Sequence, residues 1–410
     1  MTLSKLLPLF NDHVQKLKAQ GTAKSSETVV TGYQAPNNGY GPRVFLQNYP
    51  NRAFLRMNSN SYLGLSRHPQ VIAAEAAAIE KYGTGPGAVR FISGTYQPHI
   101  ELEQSLAEFH GREAAMIFSA AYAAMIGVLP SLINEETLVI SDELNHNCII
   151  NALRLTKCGH KAVYPHLDLT ALEKILIVHK GKFKRVCLVS DGVFSMRGDH
   201  TPLAQITSCC ESHEVDYEQG IITVIDDSHG VGAFGVTGQG TEEVTGTRAD
   251  ILIATLGKAF GVNGGYVVAD QGVIDYLRET AVSYIYSNPI TPAEAAAAHE
   301  AINIVKSTEG KELLQKVKTL TVRLRKGIVA AGFETLPGEH SIVPIMIRDT
   351  DKTSALVEYL FTHNILATGL NYPVVAKSEQ EIRLQVSADQ TTKDIDYFLT
   401  VLQDFKGTEV

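Results

Sequence analysis

The chain has 410 residues, of which 44% are hydrophobic and 20% charged, and its formal net charge is -8 at pH 7. This composition is typical of a soluble globular protein with room for two domains. The acidic balance excludes a general attraction to nucleic acid or to an anionic membrane, so we expect neither as a partner. The five cysteines include no C-x-x-C pair, which argues against a disulfide framework or a structural zinc site, and we expect no metal.

The first twenty residues lack the uninterrupted apolar stretch of a signal peptide, and no run approaches the ~18 apolar residues of a membrane helix. We therefore expect a cytoplasmic protein. Apolar residues at near-helical spacing predict an N-terminal helix with one buried stripe. The stripe consists of Leu3, Leu6, Leu7, Phe10, Val14 and Leu17. Residues from about 21 to 53 are rich in Gly, Pro, Asn and Tyr and predict an irregular arm, so residues 1–55 form a helix and arm.

Between residues 56 and 290, short apolar runs alternate with helical patterns. The predicted strands are 114–118, 137–141, 161–165, 185–190, 222–226, 250–255 and 265–270. Each run is almost entirely apolar, which is typical of a parallel strand that is covered on both faces. The sequence therefore predicts a large α/β domain over residues 56–290 with a mostly parallel sheet.

The pattern changes near Pro292. An alanine-rich helix over 293–307 and a second helix over about 310–331 precede two shorter strands, at 343–348 and 381–387. We predict a smaller α+β domain over residues 291–410.

Polar residues follow four of the predicted strands. Asp226 ends one strand, Lys258 follows the next strand along the chain, and Ser195 and His146 follow two others. Because ligands bind outside the carboxyl ends of parallel strands, we expect these side chains to share one site. A lysine or aspartate taken alone is more often a solvated side chain or a helix cap. Together, an amine that can attack an aldehyde and a carboxylate that can bind a protonated pyridine nitrogen indicate an aldehyde cofactor.

Seven segments then carry a family resemblance that spans roughly residues 55–390. They are NSYLGL (60–65), RFISGT (90–95), DELNH (142–146), DGVFSM (191–196), DDSHGVGAFG (226–235), TLGKAFG (255–261) and SNPITP (287–292). In this order they resemble the α-oxoamine synthase family. These are fold-type I enzymes dependent on pyridoxal 5'-phosphate (PLP), with the aspartate-aminotransferase-like fold, and they condense an amino acid with an acyl-CoA.

The resemblance implies a role for each residue around the cofactor ring. Lys258 would carry PLP as a Schiff base and later act as the general base, and Asp226 would pair with the ring nitrogen. His146 would stack over the ring and polarise the thioester carbonyl. His229 and Ser195 would contact the ring hydroxyl region.

The resemblance also implies a set of phosphate ligands. Ala121 and Tyr122, at the start of a predicted helix, and Thr255 would bind the phosphate, although a small-residue helix start is also common for packing alone. Ser287 and Asn288 would reach the phosphate of the other subunit, which implies a homodimer with shared active sites.

Arg383 resembles the arginine that binds the amino-acid carboxylate, a role that suits a bidentate guanidinium. Without the family context it would be interpreted as an exposed strand arginine. Asn60 and Ser61 would line the substrate pocket.

Within the family, the quoted segments look most like those of the glycine C-acetyltransferase branch. This resemblance favours glycine and acetyl-CoA, or another short acyl-CoA, as substrates. Departures from the usual pattern at Pro86 and Arg197 leave the acyl chain and the amino acid open. The alternatives are an 8-amino-7-oxononanoate synthase or serine palmitoyltransferase type of activity with a longer acyl-CoA, another fold-type I aminotransferase or lyase, and a non-catalytic regulator on the same fold.

Overall fold

The computed structural model describes residues 3–20, 23, 27–372 and 374–408. In chain order the strands are β1 (Val30–Gln34), β2 (Arg43–Leu46), β3 (Tyr49–Arg56), β4 (Ala114–Phe118), β5 (Thr137–Asp142), β6 (His160–Tyr164), β7 (Arg185–Asp191), β8 (Ile221–Asp226), β9 (Ile251–Thr255), β10 (Gly265–Ala269), β11 (Glu334–Thr335), β12 (Ile342–Met346), β13 (Ile365–Leu366), β14 (Thr368–Leu370) and β15 (Glu381–Gln385). The helices are α1 (Leu7–Ala19), α2 (Pro69–Tyr82), α3 (Gln97–His110), α4 (Ala121–Leu132), α5 (Asn147–Leu155), α6 (Leu169–His179), α7 (Leu203–His213), α8 (Thr241–Thr245), α9 (Gln271–Thr280), α10 (Val282–Ile285), α11 (Pro292–Lys306), α12 (Thr308–Ala330), α13 (Thr350–Thr362) and α14 (Thr392–Thr408). All nine strands predicted from the sequence coincide with observed strands to within two residues.

The central sheet has the strand order β4-β10-β9-β8-β7-β5-β6. Strands β9, β8, β7, β5 and β6 run parallel to one another, whereas β10 is antiparallel to both of its neighbours. The residues of β5 and β10 are buried throughout, as expected where helices cover both faces of a sheet. The predicted mostly parallel sheet is confirmed. Its topology places the carboxyl ends of β5, β7, β8 and β9 along one edge.

The largest hydrophobic core joins the central sheet to the C-terminal part of the chain. It contains Leu252 and Tyr266 of the sheet, Ile302 of α11, and Ile382 and Leu384 of β15. Helix α11 packs against α2 and α3 as well as against α12. Because this core runs continuously across residue 290, the domain boundaries at residues 55 and 290 stay predictions.

The C-terminal region contains an antiparallel sheet of order β11-β12-β15-β14, accompanied by α12, α13 and α14. In its interior strand β15, Arg383 lies opposite Pro344 of β12 and Thr368 of β14. The position of Arg383 is therefore set by hydrogen-bonded neighbours on both sides.

The N-terminal arm is more regular than the sequence indicated. Strands β1, β2 and β3 form an antiparallel meander, and β13 joins it by pairing in parallel with β3. The expectation of an irregular arm was wrong. The meander buries a small cluster of Val44, Leu46 and Phe54, and Leu55 joins the main core, but most of its other residues are polar, glycine or proline. Strands with so little apolar surface produce a weak alternation in the sequence.

The N-terminal helix α1 forms as predicted, but its apolar stripe is not buried. Leu7, Phe10 and Val14 are 53%, 54% and 41% exposed, and α1 contains no buried residue. The prediction of a buried stripe was therefore wrong for this chain. Helical periodicity indicates that a helix has an apolar face, whereas burial requires a second surface that packs against it.

A buried carboxylate attaches the arm to the C-terminal helix. Asp394, whose side chain is fully buried, accepts hydrogen bonds from the backbone N–H groups of Gly41 (2.9 Å) and Thr391 (2.7 Å). Its other oxygen accepts from Nη2 of Arg43 at 2.6 Å. One side chain thus joins β2, the preceding turn and the start of α14.

We predict that Asp394→Ala lowers the apparent free energy of unfolding by about 3–5 kcal/mol, because it leaves a largely buried guanidinium without its partner. The matched control is Asp396→Ala, two residues further along the same helix. Asp396 pairs with Arg323 at 2.6 Å, but both side chains are about half exposed, so its loss is expected to cost less than about 1 kcal/mol. Urea unfolding of the three proteins measures the difference, and equal losses would contradict the interpretation.

Candidate active site

A cavity lies at the edge of the central sheet where the parallel strands end. It contains about 670 Å³ of empty space, part of which is open to solvent. Of the residues singled out in the sequence, eight line it, namely Ala121, Tyr122, His146, Ser195, Asp226, His229, Thr255 and Lys258. The topology brings them together, because β9, β8, β7 and β5 are adjacent and point the same way.

Asp226 lies at the end of β8 and is 5% exposed. One carboxylate oxygen accepts from the backbone N–H of Ser228 at 3.1 Å, and the other accepts from the thiol of Cys148 at 3.3 Å. The carboxylate is thereby held in one orientation beside the cavity.

Cys148 connects Asp226 to His146. Its Sγ lies 2.9 Å from Nδ1 of His146, and its backbone N–H donates to the same nitrogen at 3.2 Å. In the sequence, Cys148 is one of five cysteines and has no assigned role. Its spacing two residues after His146, at the first turn of α5, is the signal that could have drawn attention to it.

Lys258 follows β9 and is half-buried. Burial lowers the pKa of its amine, and the positive charge of Arg383 acts in the same direction, while the carboxylates of Asp226 and Asp191 oppose them. The net result is a lowered pKa, so a larger fraction of the amine is neutral and nucleophilic near pH 7 than in a solvated lysine.

Asp191 is a second carboxylate at the sheet edge, directly beside Asp226 in the register of β7 and β8. Burial raises the pKa of Asp191 well above its ordinary value, and the negative charge of Asp226 raises it further. Asp191 also accepts from the backbone N–H of His146 at 3.0 Å. Asp191 begins the segment DGVFSM (191–196), but the sequence alone assigned it no role.

The segment that carries His146 is held by Asp142 at the end of β5. Asp142 accepts from the backbone N–H groups of Leu144 (2.8 Å) and Leu167 (3.0 Å) and lies 3.1 Å from Nδ1 of His166. Burial lowers the pKa of His166, but hydrogen bonds to Asp142 and Asp199 outweigh it and raise that pKa to about 9. The loop that places His146 therefore rests on an ion pair at neutral pH.

The cavity is also lined by residues that offer backbone donors. Helix α4 begins at Ala121, and the preceding Ala120 provides no side-chain cap, so the first N–H groups of the helix remain open to an anion. A Cβ on Gly265 would lie 2.1 Å from the nitrogen of Ala121, which explains the glycine at this close approach. The hydroxyl of Thr255 donates to the carbonyl of Gly264 at 3.1 Å.

Two of the predicted substrate residues meet beside this cavity. Nη2 of Arg383 donates to Oδ1 of Asn60 at 3.3 Å. Burial lowers the pKa of Arg383, its Nε is buried without a hydrogen-bond partner, and among the described residues no carboxylate forms a salt bridge with it. Ser61 lies elsewhere, in a second cavity that Arg56 and Arg67 also line.

Ser287 and Asn288 do not line the cavity of their own chain. They follow α10, where Ser287 is half-buried and Asn288 is exposed. Neighbouring apolar side chains are also exposed, with Phe91 and Ile92 at 67% and Tyr286 at 75%.

Comparison with known proteins places this arrangement in a family. The model of the aminotransferase class I and II family matches residues 52–402. The chain is 35% identical to an 8-amino-7-oxononanoate synthase of Geobacter metallireducens, over 94% of this chain and 95% of that one. It is 36% identical to the human mitochondrial 2-amino-3-ketobutyrate coenzyme A ligase, over 96% and 90%. A serine palmitoyltransferase from S. paucimobilis, solved with a bound PLP–myriocin aldimine, superposes with a TM-score of 0.86 at 25% identity and covers 98% of this chain and 97% of that one.

The fold and the cavity define a PLP-dependent transferase with the aspartate-aminotransferase-like architecture. The chain belongs to the aminotransferase class I and II family and, within it, to the α-oxoamine synthases. The predictions of fold class, family and PLP dependence are confirmed.

The described residues fit the cofactor chemically. The uncapped end of α4 suits the phosphate, the fixed carboxylate of Asp226 suits a protonated ring nitrogen, and the buried amine of Lys258 suits the aldehyde. All three line one cavity.

Proposed function

We propose that this protein joins a small amino acid, with glycine favoured, to a short acyl-CoA such as acetyl-CoA. The reaction releases CoA and yields an α-amino ketone with loss of CO2, or a β-keto amino acid where the carboxylate is retained. The observation that supports it best is the convergence of Lys258 and Asp226 in one cavity that lies beside the buried guanidinium of Arg383.

Bound PLP supplies an aldehyde for the substrate amine and a ring that withdraws electrons from the bond to the substrate α-hydrogen. Asp226 would hold a proton at the ring nitrogen, because its carboxylate is buried and already oriented by Ser228 and Cys148. The first turn of α4, at Ala121 and Tyr122, would hold the phosphate through its backbone N–H groups.

Lys258 would both attach the cofactor and move the α-proton. Its lowered pKa raises the neutral fraction of the amine, and in the neutral form Nζ can accept a proton from the substrate carbon and later return it. Its partly buried position limits the access of bulk water to that proton.

Arg383 would orient the amino acid. A guanidinium binds a carboxylate through two parallel hydrogen bonds, and Arg383 has no carboxylate bound to it among the described residues. Asn60, 3.3 Å from Nη2, would fix the plane of the guanidinium.

His146, His229 and Ser195 complete the set around the ring. His146 is exposed at the cavity surface and would cover one ring face and polarise the thioester carbonyl. His229 and Ser195 would contact the ring hydroxyl, and burial lowers the pKa of His229 well below its ordinary value, so its imidazole is neutral.

A homodimer would complete the site. Ser287 and Asn288 lie outside the cavity of their own chain, next to the exposed Phe91, Ile92 and Tyr286. An exposed apolar patch of this kind favours contact with a second copy. Ser287 and Asn288 would then reach the phosphate end of the partner's cavity, while Thr255 serves it from within the same chain.

No helix in the described ranges combines the length and the apolar character needed to cross a bilayer. We infer a cytoplasmic location, which the five free cysteines support.

A longer acyl-CoA is the second candidate, because the similar proteins include 8-amino-7-oxononanoate synthases as well as 2-amino-3-ketobutyrate ligases at nearly equal identity. We expect the highest rate of CoA thiol release with glycine and acetyl-CoA in a matrix of glycine, alanine and serine against short and long acyl-CoAs. A maximum with a long chain would select the second candidate. CoA release that needs no amino acid would contradict both, and amino-group transfer without CoA release would indicate an aminotransferase.

For the cofactor linkage, we predict that Lys258→Ala protein loses the visible absorption band of the covalently attached cofactor, because no amine remains to form the bond, while its far-UV circular dichroism is unchanged. The matched control is Lys316→Ala, whose amine donates to the carbonyl of Ala388 outside the cavity, and it is expected to keep the band. Persistence of the band in the Lys258 variant would refute the assignment.

For the substrate carboxylate, we predict that Arg383→Lys raises the KM for the amino acid roughly tenfold to a hundredfold, since lysine keeps the charge but loses the bidentate geometry. The KM for acyl-CoA should change by less than about twofold, because the thioester does not use that contact. Arg348→Lys, at an exposed pair with Glu334, serves as the control. A comparable rise for both substrates would remove the assigned role.

A further inference from the structure

A buried tyrosine that does not itself line the cavity contacts His229, which does. The hydroxyl of Tyr62 lies 2.7 Å from Nδ1 of His229, and Tyr62 is fully buried. Tyr62 belongs to the segment NSYLGL, which carried part of the family resemblance but supplied no function for the tyrosine itself.

The direction of this hydrogen bond follows from the available partners. Burial raises the pKa of Tyr62 far above its ordinary value, so the hydroxyl keeps its proton. Among the described residues the hydroxyl has no second hydrogen-bond partner, so its proton can go only to Nδ1 of His229. Nδ1 is then an acceptor, and in a neutral imidazole the proton must reside on Nε2.

The backbone of His229 is held as well. Nε2 of His340 lies 2.9 Å from the carbonyl oxygen of His229, and Nδ1 of His340 accepts from the backbone N–H of Ile342 at 3.1 Å. The ring of Tyr62 packs edge-on against His340 at a centroid distance of 5.5 Å. The position of His229 is therefore set by His340 and the protonation of its ring by Tyr62.

We propose that Tyr62 is a positioning residue that keeps His229 in the Nε2–H tautomer, so that the ring presents a hydrogen-bond donor to the cavity and to the oxygen of any ligand bound there. In the opposite tautomer, Nε2 would carry a lone pair in place of the proton. Nε2 and the ligand oxygen would then both be hydrogen-bond acceptors, and no hydrogen bond could form between them. The consequence for cofactor binding rests on the proposed function, whereas the tautomer itself does not.

The chain contains a matched pair for comparison. Nε2 of His110 lies 2.9 Å from the hydroxyl of Tyr266, and both residues are buried, but neither lines the cavity. Burial lowers the pKa of His110 to about 3, so this histidine is also neutral. Tyr266→Phe therefore removes the same kind of bond at a site where the proposal expects no effect on the cavity.

The test uses the full-length apoenzyme labelled with ¹⁵N-histidine, with His229 assigned by the signals that His229→Gln removes. Nitrogen NMR at neutral pH is expected to show a protonated Nε2 and an unprotonated Nδ1 for His229. In Tyr62→Phe the two nitrogen shifts should move toward each other as the second tautomer becomes populated, whereas Tyr266→Phe should leave the His229 signals in place.

Titration of the same apoenzymes with PLP gives a second, independent measurement. Tyr62→Phe removes the hydrogen bond that orients the ring of His229, so it should weaken PLP binding about tenfold. Tyr266→Phe should weaken PLP binding less than about twofold. A protonated Nδ1 in the wild-type protein, or unchanged His229 shifts in Tyr62→Phe, would overturn the proposal. If wild-type protein bound no PLP, the proposed function would fail while the NMR result for His229 would still decide the tautomer.

Discussion

The buried negative charge of Asp226 is the constraint around which the rest of the site is arranged. A carboxylate at the end of a central strand is costly unless hydrogen bonds and opposite charges compensate it. Ser228 and Cys148 provide the hydrogen bonds, and Lys258 provides the charge. Burial and the same charge raise the pKa of the adjacent Asp191, which favours the protonated form of this second carboxyl.

Several other groups near Asp226 are correspondingly neutral. His229 is kept uncharged by burial and by the cations Lys258 and Arg383, and His340 behind it is buried in the same way. The cavity thus contains one fixed anion, one amine of lowered pKa and neutral histidines. Such a cavity can bind a zwitterionic ring and a phosphate without a large net electric field. The chain's net negative charge is compatible with binding a phosphate, because the phosphate would be bound by the backbone N–H groups of α4 and not by long-range electrostatic attraction.

The substrate side of the cavity depends on a different part of the fold. Asn60 follows β3 of the N-terminal arm, and Arg383 lies in β15 of the C-terminal sheet, yet the two side chains are 3.3 Å apart. The parallel pairing of β3 with β13 and the ties from Asp394 to Gly41 and Arg43 hold the arm against the C-terminal region. The proposed cofactor contacts thus come from the sheet edge, and the proposed contacts to the substrate carboxylate come from the place where the arm meets the C-terminal sheet.

The sequence by itself determined the strands of the central sheet, the family and most of the residues that line the cavity. Apolar strand runs and the polar residues that follow them, such as Asp226 and Lys258, are local features, and parallel topology carries them to one edge. It did not reveal the strands of the arm or the exposure of Leu7, Phe10 and Val14, because both depend on which surfaces pack together. Only the tertiary structure showed that Cys148 connects His146 to Asp226 and that Tyr62 bonds His229, since 167 positions separate the last two. A hydrogen bond between side chains so distant along the chain leaves no periodic signal in the sequence, and the fold alone decides it.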